Sequence, residues 1–267
     1  LSGIGASLSS SCLRQTPRDR LTRLEGIPLI QLNDLAAQQS RLKNKLDQAI
    51  KDVLEHGNFI NGPEVKILEE RLASFSGVRH AIACGNGTDA LLLVLMAWGI
   101  GPGDAIFVPS FSFVATAEVV ALVKATPVFV DICPDTFNIN PALIPGAIQY
   151  ASDHSLKPKA IIPVDLFGLP ASYAEIEKTA AENGLFVLED AAQGFGGEIN
   201  RRKACLFGHV AATSFFPAKP HGCYGDGGAV FTSDDDLAHF LRSIRVHGGG
   251  ADKYDNVRVG VNGRLDT

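Results

Sequence analysis

One lysine of this sequence, Lys219, lies in unusual surroundings. It belongs to the segment TSFFPAKPHGCYGDGG, where it follows two phenylalanines and sits between Pro217 and Pro220. A stiff, apolar loop disfavours the hydrated ammonium form, and a neutral lysine amine is a nucleophile that can form a Schiff base with a carbonyl group. The alternative is a structural lysine that covers apolar surface with its methylene chain and keeps its amine in water.

A second candidate, Asp190, ends the apolar run LFVLED. This position predicts a partly buried carboxylate, which needs a partner because an unpaired buried charge is costly. The competing interpretation is that Asp190 caps the segment that follows. Gln193 lies three residues further on and could contact the same ligand.

The glycine-rich turn GNGTDAL, Gly85 to Leu91, opens a predicted helix. Helix N-termini present free N–H groups and a partial positive charge, so Thr88 and Asp89 mark a candidate phosphate site. The spacing matches neither the P-loop nor the dinucleotide-binding fingerprint. Alternatively, Thr88 and Asp89 simply cap the helix by accepting hydrogen bonds from its first-turn amides.

Two further residues complete the set. The ring of Phe113, which follows the next predicted strand, could cover a planar ligand, although core packing is the more usual role of an isolated phenylalanine. Ser214 directly precedes the lysine loop. A phosphate site, a ring face, a buried aspartate, a serine and a nucleophilic lysine are together what pyridoxal 5'-phosphate (PLP) requires, so we predict PLP as the cofactor.

The elements that position these residues alternate between strands and helices. Short runs rich in Val, Ile and Leu indicate strands covered on both faces, and the helical segments between them supply the crossovers of a parallel sheet. Ligands of such sheets bind beyond the carboxyl ends of the strands, where the candidates fall. We therefore predict an α/β fold, a mostly parallel sheet sandwiched by helices. Two helices, Ser40–His56 and Pro63–Ser76, precede the strands HAIAC, AIFVPS, PVFVD, KAIIPV, LFVLED, VAATSFF and GAVFTS, the last a hairpin or edge partner.

Composition limits the class of protein. The chain has 267 residues, 46% hydrophobic and 20% charged, which supports a large core, and its net charge of −5 without a basic block argues against binding to nucleic acid. Five scattered cysteines indicate reduced thiols of an intracellular protein, with no disulfide framework and no metal site. The longest apolar run is too short to cross a membrane. Residues 1–26, rich in Ser and Arg, predict a disordered tail before a single domain, residues 27–267.

The sequence resembles the DegT/StrS family of sugar aminotransferases, most of all those that aminate nucleotide-linked N-acetylated sugars at C3 or C4. The resemblance implies the large domain of a fold-type I, aspartate-aminotransferase-like PLP enzyme. It implies a cytoplasmic homodimer that transfers an amino group, with glutamate as the expected donor, to a keto-sugar nucleotide for polysaccharide or glycoconjugate synthesis. The segments that carry it are NGTDAL, PSFSFVATAEVV, TPVFVDI, EDAAQGFG, TSFFPAKPHGCYGDGGAVFT, IRVHG and GVNGRLDT.

The resemblance also implies roles for the residues around the cofactor ring. Lys219 would bond covalently to the cofactor, and Asp190 would pair with the pyridine nitrogen. Gln193 would approach the ring hydroxyl, and Phe113 would lie over the ring face.

The implied phosphate contacts come from two subunits. Thr88, Asp89 and Ser214 would hold the phosphate within one subunit. Asn262, in the segment GVNGRLDT, would reach the cofactor phosphate of the neighbouring subunit across a homodimer interface.

Two departures from the family pattern leave alternatives open. His221 stands where the family has an apolar residue, and the sequence stops at NGRLDT, where family members continue into a small domain. We therefore expect a truncated chain, which raises the alternative of a non-catalytic remnant that binds the cofactor or a partner. A further alternative is a PLP-dependent sugar dehydratase of the same fold, but there a histidine replaces the lysine, so Lys219 argues against it.

Overall fold

The computed structural model of the chain describes residues 32–252 and 254–267. The predicted disordered tail, residues 1–26, lies outside the described residues, as does Cys12. In the described part of the chain, no helix combines the length and the apolarity needed to cross a lipid bilayer.

A seven-stranded sheet forms the centre of the molecule, with the strand order β1-β9-β8-β5-β4-β2-β3. Strands β2, β3, β4, β5 and β8 are paired in parallel, and β9 alone runs antiparallel to both of its neighbours, β8 and β1. The mostly parallel sheet is thus confirmed. The strands are β1 His80–Cys84, β2 Asp104–Pro109, β3 Thr126–Val130, β4 Lys157–Ile161, β5 Phe186–Asp190, β8 Val210–Ser214 and β9 Gly228–Thr232.

Strand β9 settles an alternative that the sequence left open. It forms a hairpin with β8, and it also pairs along its whole length with β1, from His80–Thr232 to Cys84–Gly228. The hairpin interpretation is confirmed and the edge position is wrong, because β1 lies outside β9 at the end of the sheet. All five residues of β9 are buried, which explains the unbroken apolar run GAVFT.

Most of the helices pack on the two faces of the sheet, but the first one has no buried residue. The first, α1, begins at Leu35 rather than at Ser40, because the Asp34 carboxylate accepts a hydrogen bond from the Ala37 amide and caps the helix there. Helix α7, which Asp234 caps in the same way, was not predicted, and neither was the small hairpin of β6 Glu198–Ile199 and β7 Arg202–Lys203. The helices are α1 Leu35–His56, α2 Pro63–Ser76, α3 Gly87–Ala97, α4 Ala115–Leu122, α5 Ile144–Asp153, α6 Tyr173–Asn183 and α7 Asp235–Ile244.

The core divides between the two faces of the sheet. On one face, α3, α4 and α7 pack against residues such as Ile82, Ile106 and Leu188. On the other face, α5 and α6 pack against Phe107 and Ile161. Each of these two residues directly follows a residue of the first cluster in the sequence. Successive strand residues point to opposite faces, so the central strands β2, β4 and β5 contribute to both clusters. Strands β1, β8 and β9 contribute to the first cluster and to a third one, packed against α2. The polar residues that end the strands are therefore held by a sheet that is packed on both sides.

Candidate active site

A cavity of about 380 Å³ opens at the carboxyl ends of the parallel strands, where ligands of α/β sheets bind. Its walls come from the loops that follow β1, β2, β5 and β8. Six of the eight predicted site residues line it: Thr88, Phe113, Asp190, Gln193, Ser214 and Lys219. Residues far apart in sequence thus meet in one place.

Asp190 ends β5 with its side chain facing the cavity, and the residue is only 5% exposed. Its Oδ2 accepts a hydrogen bond from the Thr116 hydroxyl at 2.8 Å, and its Oδ1 accepts one from the Ala192 amide at 3.2 Å. Burial raises the pKa of Asp190, while these hydrogen bonds and the charge of Lys219 oppose the rise. The carboxylate is held firmly, and a cation placed against it would offset the cost of its burial.

Sequence reasoning missed Thr116. It lies on α4 and is 2% exposed. Its side chain contacts Asp190, a residue 74 positions away. The only signal in the sequence is a hydroxyl side chain among the apolar residues of VATAEVV, which does not name its partner.

Gln193 lies in the turn after β5 and lines the same cavity. Its Oε1 accepts a hydrogen bond from the Phe167 amide at 2.9 Å, which fixes the orientation of the side chain. The side-chain amide nitrogen is therefore free of this contact and can donate to a ligand.

The N-terminus of α3 forms another wall of the cavity. Asn86 caps this helix through a 2.7 Å hydrogen bond from the Asp89 amide, so the predicted cap formed by Thr88 and Asp89 is wrong. A Cβ at Gly87 would lie only 2.6 Å from the Ser214 Cβ. The two backbones approach closely because this residue is a glycine, and the helix amides and the Ser214 hydroxyl converge where an anion would be held.

Two predicted residues are not brought into the cavity wall. The Asp89 side chain turns toward the backbone of Gly85, and burial together with the neighbouring Asp226 carboxylate raises its pKa. Asn262 is exposed, pairs through its backbone with Val246 and accepts a hydrogen bond from Arg264. Neither is among the residues that line the cavity.

Phe113 is 67% exposed and lines the cavity, so the alternative that it packs in the core is wrong. The ring stands at the cavity wall with apolar surface open to a ligand. A planar ligand that covered this ring would bury that surface favourably.

The loop of Lys219 is anchored by its neighbours. The Lys219 amide donates to the Phe216 carbonyl at 2.8 Å, and the Cys223 amide donates to the Phe215 carbonyl at 2.8 Å. Phe215 is buried, but Phe216 is half exposed and Lys219 itself is only partly buried. Two backbone hydrogen bonds thus hold the loop, but Lys219 is less buried than the sequence predicted, and it faces a cavity rather than packed apolar side chains.

His221 lies against the same anchor. Its ring centroid is 5.2 Å from that of Phe215 and 5.1 Å from that of Phe195, and burial of the ring lowers the pKa of His221. The aromatic contacts show how a histidine is accommodated where the family pattern has an apolar residue. The residue as a whole is exposed, and only its ring packs against the two phenylalanines at the end of the lysine loop.

The comparison with known proteins shows which family this chain belongs to. Residues 40–267 match the model of the DegT/DnrJ/EryC1/StrS aminotransferase family. The chain belongs to this family. Its relatives in the family include the UDP-2-acetamido-2-deoxy-3-oxo-D-glucuronate aminotransferase of Pseudomonas aeruginosa, which is 52% identical over 239 residues, 90% of this chain and 65% of that protein.

Solved structures of the family share the fold. The chain matches a DegT/DnrJ/EryC1/StrS aminotransferase from Brucella abortus with a TM-score of 0.87 and 56% identity, over 89% of this chain and 64% of that one. It also matches the NtdA protein of Bacillus subtilis, solved with its bound cofactor PMP, with a TM-score of 0.80 and 31% identity, over 90% of this chain and 54% of that one. The chain thus spans less than two thirds of the length of these family members.

The residues present fit the cofactor of the aminotransferase family. The cavity supplies an amine at Lys219 and a buried carboxylate at Asp190. At Gly87 and Ser214 it supplies an anion cradle that a Cβ on the glycine would fill. These groups match the aldehyde, the pyridine nitrogen and the phosphate of PLP.

Proposed function

We propose that this chain forms the PLP-binding part of an aminotransferase that delivers an amino group, with glutamate as donor, to the keto group of a nucleotide-linked sugar. We place this activity in the synthesis of polysaccharides or glycoconjugates. The observation that carries the proposal is the meeting of Lys219 and Asp190 in one cavity of a family aminotransferase. The name of the Pseudomonas relative supports the substrate class. The cofactor is supported by the structure of the NtdA protein, which was solved with bound PMP, the aminated form of PLP.

Each residue then has a chemical task. When bound, PLP supplies an electrophilic aldehyde and an electron-withdrawing ring. The Lys219 amine would be the nucleophile for that aldehyde, and as a free amine it would serve as the base that moves a proton to and from the substrate carbon. Asp190 holds a proton on the pyridine nitrogen, and Thr116 orients the carboxylate through its 2.8 Å hydrogen bond.

The remaining residues bind and orient. The Gln193 amide would donate to the ring hydroxyl, and Phe113 would cover the ring face. Thr88, Ser214 and the free amides of α3 hold the phosphate. Among the described residues that line the cavity, Lys219 is the only lysine or arginine.

The proposal is tested by trapping the cofactor. The purified protein is incubated with PLP, reduced with borohydride and digested, and the peptides are analysed by mass spectrometry. We expect the reduced cofactor on Lys219, and we expect prior addition of L-glutamate to remove that label by converting PLP to PMP. Label on Lys219 that glutamate does not remove would support a cofactor-binding remnant instead, and no label would contradict the proposal.

We further propose that a homodimer completes the phosphate site. Asp89 and Asp226 lie close together near the cradle, so their negative charge opposes a phosphate there. Asn262 is exposed and lies outside its own cavity, available to a second copy. In a two-fold dimer such a contribution is reciprocal, with each copy completing the site of the other.

Cofactor affinity is therefore expected to depend on protein concentration. Diluting the protein through its dimer dissociation range should weaken PLP binding at least tenfold, as measured by PLP titration alongside sedimentation velocity. Asn262→Ala should weaken binding in the dimer, whereas the control Asn58→Ala, at another exposed asparagine, should not. A monomer that retains PLP at high dilution would overturn the shared site.

A further inference from the structure

Two acidic side chains are buried behind the cavity, on the opposite side of the β5 strand end from the Asp190 carboxylate. Glu189 precedes Asp190 and is 0% exposed, and Asp165, also 0% exposed, follows Val164, which forms a bridge with Asp190. Val164 and Asp190 both line the cavity. Because neighbouring side chains in extended strands point to opposite faces, Asp165 and Glu189, which are next to them in sequence, both point away from the cavity. Neither carboxyl group has a role in the proposed chemistry.

The hydrogen bonds of this pair leave one oxygen to explain. Glu189 accepts from the amides of Cys205 and Phe207 at 2.7 and 2.8 Å. Asp165 Oδ1 accepts from the Tyr173 hydroxyl at 2.8 Å and from the Ala171 amide at 3.2 Å. Asp165 Oδ2 is buried and has no donor among the described residues.

The two fully buried carboxyl groups lie close enough for each to act on the pKa of the other. Two ionised carboxylates offer only acceptors, so a hydrogen bond between them would require a proton, and that proton would give the buried Asp165 Oδ2 the partner that it lacks. The titratable groups of the described residues that act on the pair are Asp190, Tyr173 and Cys205, none of them a cation. Two negative charges buried together without a cation would be far costlier than one charge and one shared proton.

The pair also supports the turn that carries the site. The Asp165 amide donates to the Asp190 carbonyl at 3.0 Å. The Asp165 side chain lies so close to Gly194 that a Cβ there would be 2.5 Å from Oδ2. The loop that begins at Asp165 also provides the Phe167 amide that holds Gln193. A displaced Asp165 would therefore shift both ends of the Asp190–Gly194 turn.

We propose that Asp165 and Glu189 share a single proton and together position the turn that bears Asp190 and Gln193. They are positioning residues, because they act on the cavity through Asp190 and Gly194. Loss of the shared proton would place a second charge against Gly194 and Asp190 and push the turn outward.

The shared proton links stability to pH. Burial raises the pKa of Asp165 to about 6, and burial followed by the charge of Asp165 raises the pKa of Glu189. The folded pair thus keeps a proton that the unfolded carboxyls release above about pH 4. The stabilisation is complete below that pH and is lost as the pH rises through about 6 and beyond.

The variant Asp165→Asn distinguishes a shared proton from the alternative that the two side chains support the fold without one. The asparagine Oδ1 can accept from Tyr173 and Ala171, and its Nδ2 can donate to an ionised Glu189, so the variant imitates the protonated pair at every pH. The measurement is thermal unfolding without cofactor, and the quantity compared is the Tm of the wild type minus the Tm of Asp165→Asn. We expect this difference to fall by about 5 °C between pH 5 and pH 8, because only the wild type can lose the shared proton. Asp153→Asn, at an exposed aspartate, should keep the wild-type profile.

Glu189→Gln is the opposing variant. Its amide nitrogen would face the Cys205 or Phe207 amide, donor against donor, so it should lower the Tm more than Asp165→Asn does at every pH. Parallel pH profiles for the wild type and Asp165→Asn, or better tolerance of Glu189→Gln, would overturn the shared proton.

The positioning effect rests on the proposed function and has its own measurement. PLP affinity is measured for the wild type and for Asp165→Asn at pH 6 and at pH 8. The loss of affinity between these two pH values should be at least threefold larger for the wild type. Equal profiles would overturn the positioning role. Absence of PLP binding in both proteins would count against the proposed function, and the unfolding comparison, which needs no cofactor, would still decide whether the proton is shared.

Discussion

Lys219→Arg is expected to abolish covalent attachment of PLP and with it any transfer of an amino group from glutamate. Arginine keeps the positive charge next to Asp190, but its guanidinium stays protonated in proteins and cannot condense with an aldehyde. Lys219 is partly buried and makes no side-chain hydrogen bond that holds the fold among the described residues, so the variant should fold normally. The measurement is borohydride reduction with PLP followed by peptide mass spectrometry.

The matched control is Lys178→Arg, at a surface lysine that pairs only with Glu182 on the same helix. It should retain the full label on Lys219. If Lys219→Arg still carried a reduced cofactor on a different lysine, the assignment of Lys219 would be wrong.

Asp190→Asn should slow the half-reaction with glutamate by at least about two orders of magnitude, which corresponds to roughly 2.7 kcal/mol of barrier. The neutral amide cannot hold a proton on the pyridine nitrogen by charge, so the ring loses much of its power to withdraw electrons. The fold should survive, because the asparagine oxygen can accept from the Ala192 amide while its Nδ2 donates to the Thr116 hydroxyl, which can rotate to accept.

Single-turnover kinetics with glutamate, followed by the change in cofactor absorbance, measure this effect. Thr116→Val serves as the comparison, since it removes the hydrogen bond but leaves the charge of Asp190, and should cost less than Asp190→Asn. A loss below threefold in Asp190→Asn would mean that Asp190 is only a structural cap.

The parts of the site that follow strand ends could be predicted from the sequence. Asp190 and Lys219 stand out because a charged side chain at the end of an apolar strand, or in an apolar loop, needs a partner for its charge. The neighbouring residues in the sequence do not provide one. The strand runs are long and unbroken because both faces of the sheet are covered, so their number and type were also predictable. The pairing of β8 with β9 was predicted as well, although the thirteen-residue lysine loop joins the two strands.

Contacts between distant segments could not be predicted. Thr116 meets Asp190 only when the first turn of α4 reaches the carboxyl end of β5, and the close approach of Gly87 to Ser214 depends on the order of the strands. The same holds for Asp89, whose position in a glycine-rich turn suggested a phosphate contact, although its side chain turns away from the cavity. Sequence position identifies which residues are near a strand end, but the direction of each side chain is decided by packing.

The antiparallel strand β9 has a consequence for how the domain folds. The lysine loop joins β8 to β9. Helix α3, whose N-terminus forms the proposed phosphate site, follows β1, and among the described strands β1 pairs with β9 alone. His80 must find Thr232 across most of the domain, a contact of high sequence separation that forms slowly. During synthesis, the two halves of the cavity stay apart until β9 has emerged and inserted between β8 and β1. We expect the cofactor to bind only chains in which β9 has paired with both β8 and β1. Cofactor binding would then distinguish completely folded chains from incompletely folded ones.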